Sequence, residues 1–371
     1  MEAMDAPTAA TTLRKTPVTV LTGYLGAGKT TLLNRILSED HGKKYAVIVN
    51  EFGEVGIDND LIVGADEEVF EMNNGCVCCT VRGDLIRVVS GLMKRQSASG
   101  KGGFDAIIVE TTGLADPGPV AQTFFVDDDV RAKTQLDSVT TVVDAKHLPL
   151  RLADSKEAAE QVAFADQIIL NKTDLVTEAE LKAVERMIRR LNPLAPIHRA
   201  ERSNVPLDLV LGRGSFDLGR IEALEPDFLN PAHGEAGHVH DEDCDHDHDG
   251  HDHHGHNHDG HEAHDHGGHD IAGSGIRGVS LTATKPLNAN RVTAWLNDVL
   301  QAQGPDILRA KGILDVAGED RRLVFQAVHM ILEGDFQGAW KSGADRYSRL
   351  VFIGRNLDEA KLREGFEATI A

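Results

Sequence analysis

The strongest constraint on this chain is one junction. The apolar stretch "PVTVLT" (17–22) runs directly into "GYLGAGKT", and Leu32, Leu33, Ile36 and Leu37 follow at helical spacing. A buried strand, a glycine-rich turn and a helix in that order read as a phosphate-cradling loop. Gly23, Gly28, Lys29 and Thr30 fit G-x4-G-K-[ST]. Gly26, Ala27 and Gly28 let backbone N–H groups close around phosphate, and the helix N-terminus that carries on into Thr31 adds its dipole. Lys29 is expected to reach the β- and γ-phosphates, and the Thr30 hydroxyl to bind Mg²⁺.

Further strands with the same continuous apolar character follow in "YAVIVN", "FDAIIVE", "LDSVTTVVDA" and "ADQIILN", and helical stretches lie at 84–95, 155–165 and 177–191. Thr177 is the N-cap candidate of the last. Buried runs alternating with helices predict an α/β fold, a mostly parallel sheet covered by helices on both faces, over residues 17–220. Residues 1–16 read as a disordered N-terminal tail.

Two strand ends extend the nucleotide site. In "IIVETTG" the strand delivers Glu110, which can hold Mg²⁺ or its water, and Gly113 allows a backbone N–H to approach the γ-phosphate. In "NKTD" (Asn171, Lys172, Asp174) a carboxylate such as Asp174, expected to be buried, can accept hydrogen bonds from guanine N1–H and its 2-amino group. Adenine offers neither donor, which makes GTP the expected nucleotide. Lys29 and Glu110 are the expected catalytic groups, and Asp58 is a candidate for positioning the attacking water.

Three of the four cysteines, Cys76, Cys78 and Cys79, fall in "NNGCVCC". Thiolates are soft ligands suited to Zn²⁺, Co²⁺ or Cu(I). Three cysteines so close cannot easily give one ion a full tetrahedral shell. An incomplete site is expected, finished by Glu54 or, second, Glu51, and such a site suits an ion that must leave. Four cysteines also cannot form a disulfide framework for 371 residues, so a cytoplasmic, reducing location is expected.

From His233 to Asp270 the chain holds 14 of its 18 histidines, 12 acidic residues and no Lys or Arg. With almost no large apolar side chain, residues 221–275 read as a disordered linker. His246, His248, His251 and His253 represent its many weak metal sites, for buffering or loading an ion. Residues 276–371 return to order as a smaller α+β unit, with strands at "GIRGVSLTATKPLN", "ILRAKGILDVAG", "RRLVFQAVHMIL" and "SRLVFIGRNL". The net charge of −21 argues against nucleic acid, and no apolar run approaches the length of a membrane helix.

Taken in order, "GYLGAGKTT", "NEFGEVGID", "NGCVCC", "ETTGLADPGPV" and "NKTD" resemble the motif series of the CobW-like metal-chaperone GTPases. "GILDVAG", "RLVFQAV" and "RLVFIG" look like that family's C-terminal domain. The resemblance implies that Cys76, Cys78 and Cys79 are the family's Cys-x-Cys-Cys site and that residues 51–80 contain a nucleotide-sensitive switch. It implies a GTPase that turns GTP into GDP, with zinc as cargo or, alternatively, cobalt for cobalamin synthesis or a nitrile-hydratase-type enzyme. The implied partners are an apo-metalloprotein client and, as a further candidate, a second copy of the chain. A zinc buffer in which nucleotide is only structural is the competing class.

Overall fold

The computed structural model describes residues 15–51, 69–73, 78–98, 104–218, 274–340, 343 and 346–371, with backbone alone at 50, 51, 69–73, 78–81, 97 and 98. The first sheet has seven strands. They are β1 (Thr16–Thr22), β2 (Tyr45–Glu51), β3 (Val69–Asn73), β4 (Ala106–Glu110), β5 (Thr134–Asp144), β6 (Gln167–Asn171) and β7 (Ile197–Arg199). Their order is β3-β2-β4-β1-β5-β6-β7, and every pairing among them is parallel.

Between the strands run α1 (Lys29–Ser38), α2 (Cys78–Ala98), α3 (Pro117–Val126), α4 (Asp128–Lys133), α5 (Leu148–Asp154), α6 (Lys156–Phe164) and α7 (Glu178–Leu191). The expected α/β architecture is present, and the apolar runs of β4 and β6 are buried at every position. Thr177 caps α7 as anticipated. Its Oγ1 accepts from Glu180 N at 3.3 Å while the Glu180 carboxylate accepts from Thr177 N at 2.8 Å.

Strand β1 sits between β4 and β5, so chain order reverses around it. Ligands of open parallel sheets bind beyond the carboxyl ends of the strands at such a switch point. Those ends here are Thr22, Glu51, Asn73, Glu110, Asp144, Asn171 and Arg199.

The second sheet is antiparallel, in the order β11-β10-β9-β12-β8. Its strands are β8 (Ile276–Ala283), β9 (Ile307–Leu314), β10 (Arg321–Val328), β11 (Ile331–Ala339) and β12 (Ser348–Arg355), joined by α8 (Ala289–Gln303) and α9 (Glu359–Glu367). One face carries Leu281, Leu314 and Phe352 onto Leu296 of α8 and Phe366 of α9. The other face sends Ile276, Leu308, Ile313, Val351 and Ile353 into the core of the first sheet's helices. The two faces thus meet two cores, which is why β9 is buried at every position, the charged Arg309 and Lys311 included, and β12 at all but its last.

Polar contacts cross the same boundary. Arg309 pairs with Asp166, Lys311 Nζ lies 3.6 Å from the same carboxylate, and Gln326 Nε2 donates to Phe216 O at 2.9 Å.

Two readings are corrected. "RRLVFQAVHMIL" is a hairpin rather than one strand: it turns at His329 and Met330, where His329 takes φ 51°. The cysteine stretch is not wholly a turn, because α2 already begins at Cys78.

Candidate functional site

At the end of β1 the chain turns through Gly23 (φ 139°), Gly26 (φ 75°) and Gly28 (φ 113°) before entering α1. The left-handed values at these positions are open to glycine at no steric cost. Lys29 is buried, and its Nζ donates to Gly23 O at 2.8 Å and lies 3.5 Å from Tyr24 O, so the ammonium spans the loop. Next to it, Thr30 Oγ1 donates to Glu110 Oε1 at 3.3 Å. Glu110 ends β4, in register with Leu21 of the neighbouring β1, and is only 6% exposed.

Thr111 Oγ1 donates to Thr22 Oγ1 at 2.8 Å and ties the start of the following loop to β1. Gly113 then packs so tightly that a Cβ there would stand 2.6 Å from Leu25 N. The loop carrying Glu110 and Gly113 therefore lies directly against the glycine-rich loop. Gln161 of α6 fixes it from behind, with Nε2 donating to Gly113 O and Ala115 O at 3.1 Å each.

Asn171 binds the other flank. Its Nδ2 donates to Ala27 O at 2.9 Å and to Ser203 Oγ at 3.1 Å, while Ser203 N donates to Asn171 Oδ1 at 2.7 Å. Ser203 Oγ also donates to Gly28 O at 3.0 Å. Arg202 and Ser203 hold positive φ values of 49° and 57°, and Arg35 Nη1 of α1 clamps Ser203 O at 2.6 Å. A Cβ on Gly28 would run into both Asn171 and Ser203. Ser203 was not among the expected site residues. The only trace it left in the sequence is a small polar residue just past the short, half-exposed β7.

Lys172 (φ 63°) turns its Nζ to Asp144 Oδ2 at 2.7 Å. Burial pushes the Asp144 carboxyl up, but hydrogen bonds from Lys172 and His147 outweigh this and hold it below the usual carboxylate range. These groups line a cavity of about 430 Å³ together with Tyr24, Leu25, Gly26, Arg151 and Gln161. Asp174 lies exposed in a short 3-10 turn at Thr173–Leu175, not buried as expected. Being in a turn past the strand end, it has no layer of structure over it among the described residues. Thr31 is likewise exposed on α1.

Backbone register brings the remaining candidates to the same edge. Glu51 pairs with Asn73, and Val49 with Glu110. The cysteine helix α2 opens five residues after Asn73. Cys76, Glu54, Asp58, His246, His248, His251 and His253 lie outside the described residues. Among the described residues no cluster of three metal-ligating side chains occurs, and no helix is long and apolar enough to cross a membrane.

Residues 17–199 match the family model "CobW/HypB/UreG, nucleotide-binding domain", and residues 276–370 match "Cobalamin synthesis protein cobW C-terminal domain". The chain is 34% identical over 351 residues to the zinc chaperone YjiA of Escherichia coli (strain K12), an alignment covering 94% of this chain and 97% of that protein. It is 44% identical over 193 residues to zinc-regulated GTPase metalloprotein activator 1 of Schizosaccharomyces pombe, covering 50% of this chain and 46% of that one. The crystal structure of Zn(II)-bound YjiA GTPase from E. coli superposes with a TM-score of 0.71 at 28% identity, covering 96% of this chain and all of that one.

Proposed function

The chain belongs to the CobW/HypB/UreG family, and from that membership we propose that it is a GTPase that binds a zinc ion through Cys76, Cys78 and Cys79 and yields it to an apo-metalloprotein when GTP is hydrolysed. The carrying observation is convergence at one sheet edge. Lys29, Thr30, Glu110, Gly113 and Asn171 meet around one loop. The backbone of Glu51 and Asn73, leading to the cysteine helix, ends alongside them.

The chemistry follows from the groups present. The loop glycines offer backbone N–H groups to the β-phosphate, and Lys29 exchanges its carbonyl partners for phosphate oxygens. Thr30 and Glu110 present a hydroxyl and a carboxylate 3.3 Å apart, a hard oxygen set that fits Mg²⁺. When bound there, Mg²⁺ would neutralise charge on the β- and γ-phosphates. Gly113 N–H would contact the terminal phosphate, and loss of that phosphate on hydrolysis would free the loop. Asn171 braces the glycine-rich loop, while Asp174 reads the guanine edge. Zinc is cargo in this scheme. Because coupling between sites is reciprocal, GTP and zinc each tighten the other.

The test is steady-state GTP hydrolysis by metal-stripped protein, with and without one equivalent of Zn²⁺ or Co²⁺, in wild type, Cys78→Ala and a chain lacking residues 233–270. Stimulation by Zn²⁺ that Cys78→Ala abolishes and the deletion spares supports the reading. Stimulation by Co²⁺ alone would reassign the cargo. Turnover indifferent to both metals in every variant would sink the coupling and favour a zinc buffer.

A further inference from the structure

Helix α6 lies between the two sheets, against β5 on one side and β8, β9 and β12 on the other, and Ala158 to Phe164 are all buried. Consecutive residues of this helix make opposite connections. Gln161 holds Gly113 O and Ala115 O. Glu160 accepts from Arg355 Nη2, at the end of β12, at 2.6 Å. Burial raises the Glu160 carboxyl above its usual range, and the Arg355 pair offsets part of that. The guanidinium is thus the compensating charge for a carboxylate that has little water.

The second unit also touches the exit of the same loop. Asp116 Oδ1 accepts from Gly118 N at 2.8 Å to start α3, and a Cβ on Gly118 would collide with His329 Nε2. His329, at the β10–β11 turn, has its ring 5.7 Å from that of Phe164 in α6. The stretch from Gly113 to Gly118 is therefore seated at both ends on parts that the second sheet holds.

We infer that Arg355 is a positioning residue for GTP hydrolysis: by fixing Glu160 it sets the register of α6, and through Gln161 it sets the Gly113 loop against the terminal phosphate. This rests on Gly113 being the γ-phosphate contact of the proposed GTPase. The second unit is then part of the switch.

The experiment uses the full chain with Mg²⁺ and compares wild type, Arg355→Gln, Arg355→Lys and Glu160→Gln. Turnover of GTP and affinity for GDP, which lacks the terminal phosphate, are both measured, with thermal melting as a check on folding. Arg355→Gln is expected to lower kcat about tenfold, with KM for GTP and Kd for GDP changed less than about twofold. Arg355→Lys should restore most of the rate. Should Arg355→Gln fail to fold, Glu160→Gln, which keeps the side-chain volume and removes the buried charge, carries the same expectation. A wild-type kcat in the variants, or a kcat that falls in step with GDP affinity, would overturn the proposal while leaving the GTPase reading intact. A wild-type protein that binds GTP but never hydrolyses it would overturn both.

Discussion

Ser203 is the residue through which two distant parts of the chain meet at the nucleotide loop. Its hydroxyl donates to Gly28 O and accepts from Asn171, and its amide donates to Asn171 Oδ1. Truncation in Ser203→Ala keeps the backbone contact and leaves a buried amide donor and a loop carbonyl one partner short. The cost is about 1–2 kcal/mol, so GTP and GDP affinity should both fall about tenfold in calorimetric titration. An unchanged affinity would show that Asn171 alone braces the loop. The contrast with Lys29, Thr30, Glu110 and Asn171 says what sequence can carry. Those four were legible because phosphate, magnesium and guanine recognition each demand fixed residue types at fixed positions after a strand. Ser203 and Gln161 act through backbone carbonyls, a task that many polar residues can perform, so nothing local distinguishes them. Asp174 was legible by its motif, but its exposure was not.

Among the elements, those with their own start and stop signals were the readable ones. Helix α7 is closed at its N-terminus by the reciprocal Thr177–Glu180 pair and buries Leu181, Val184, Ile188 and Leu191 at helical spacing. Thr177→Ala should cost about 1 kcal/mol in chemical denaturation, with GTP turnover unaffected because α7 lies outside the phosphate site. A loss of turnover would tie α7 to the nucleotide. Elements without such signals escaped the sequence. Strand β7 has three residues, half-exposed, and β3 is a five-residue edge strand containing Glu71. The β10–β11 turn has no glycine or proline, since His329 itself adopts the left-handed conformation. Its ring packs beside Phe164 and Gly118, in a distant part of the chain.

Over the whole molecule, the two sheets are joined by a boundary built like an interior. Asp166 and Arg309 are paired with side chains at most 3% exposed, and Arg309 also lies over the Phe216 ring at 4.6 Å. Breaking one partner leaves a buried charge alone. Asp166→Asn should destabilise the protein by about 3–5 kcal/mol, and Asp166→Leu combined with Arg309→Met should recover only part of that, because buried Lys311 and Val139 N still lose the carboxylate. Both are read from equilibrium unfolding, where wild type should melt in one cooperative transition. Two separate transitions in wild type would mean that each sheet is stable without the other. The parallel-sheet half of this architecture was apparent from alternating runs and motifs. The joint core was not, because a strand buried against its own helices and one buried between two units have the same apolar sequence.

That joint core also changes what is asked of the residues between the units. Ile276, Leu308 and Val351 pack with Phe164 and Ile168 whether or not a tether pulls them together. Doubling the length of a connecting loop costs only about 0.6 kcal/mol, so residues 219–273 are under little pressure to be any particular length or composition for the sake of the fold. The composition of that stretch, with 14 histidines between His233 and Asp270, is free of the demands that packing places on the strands of either sheet.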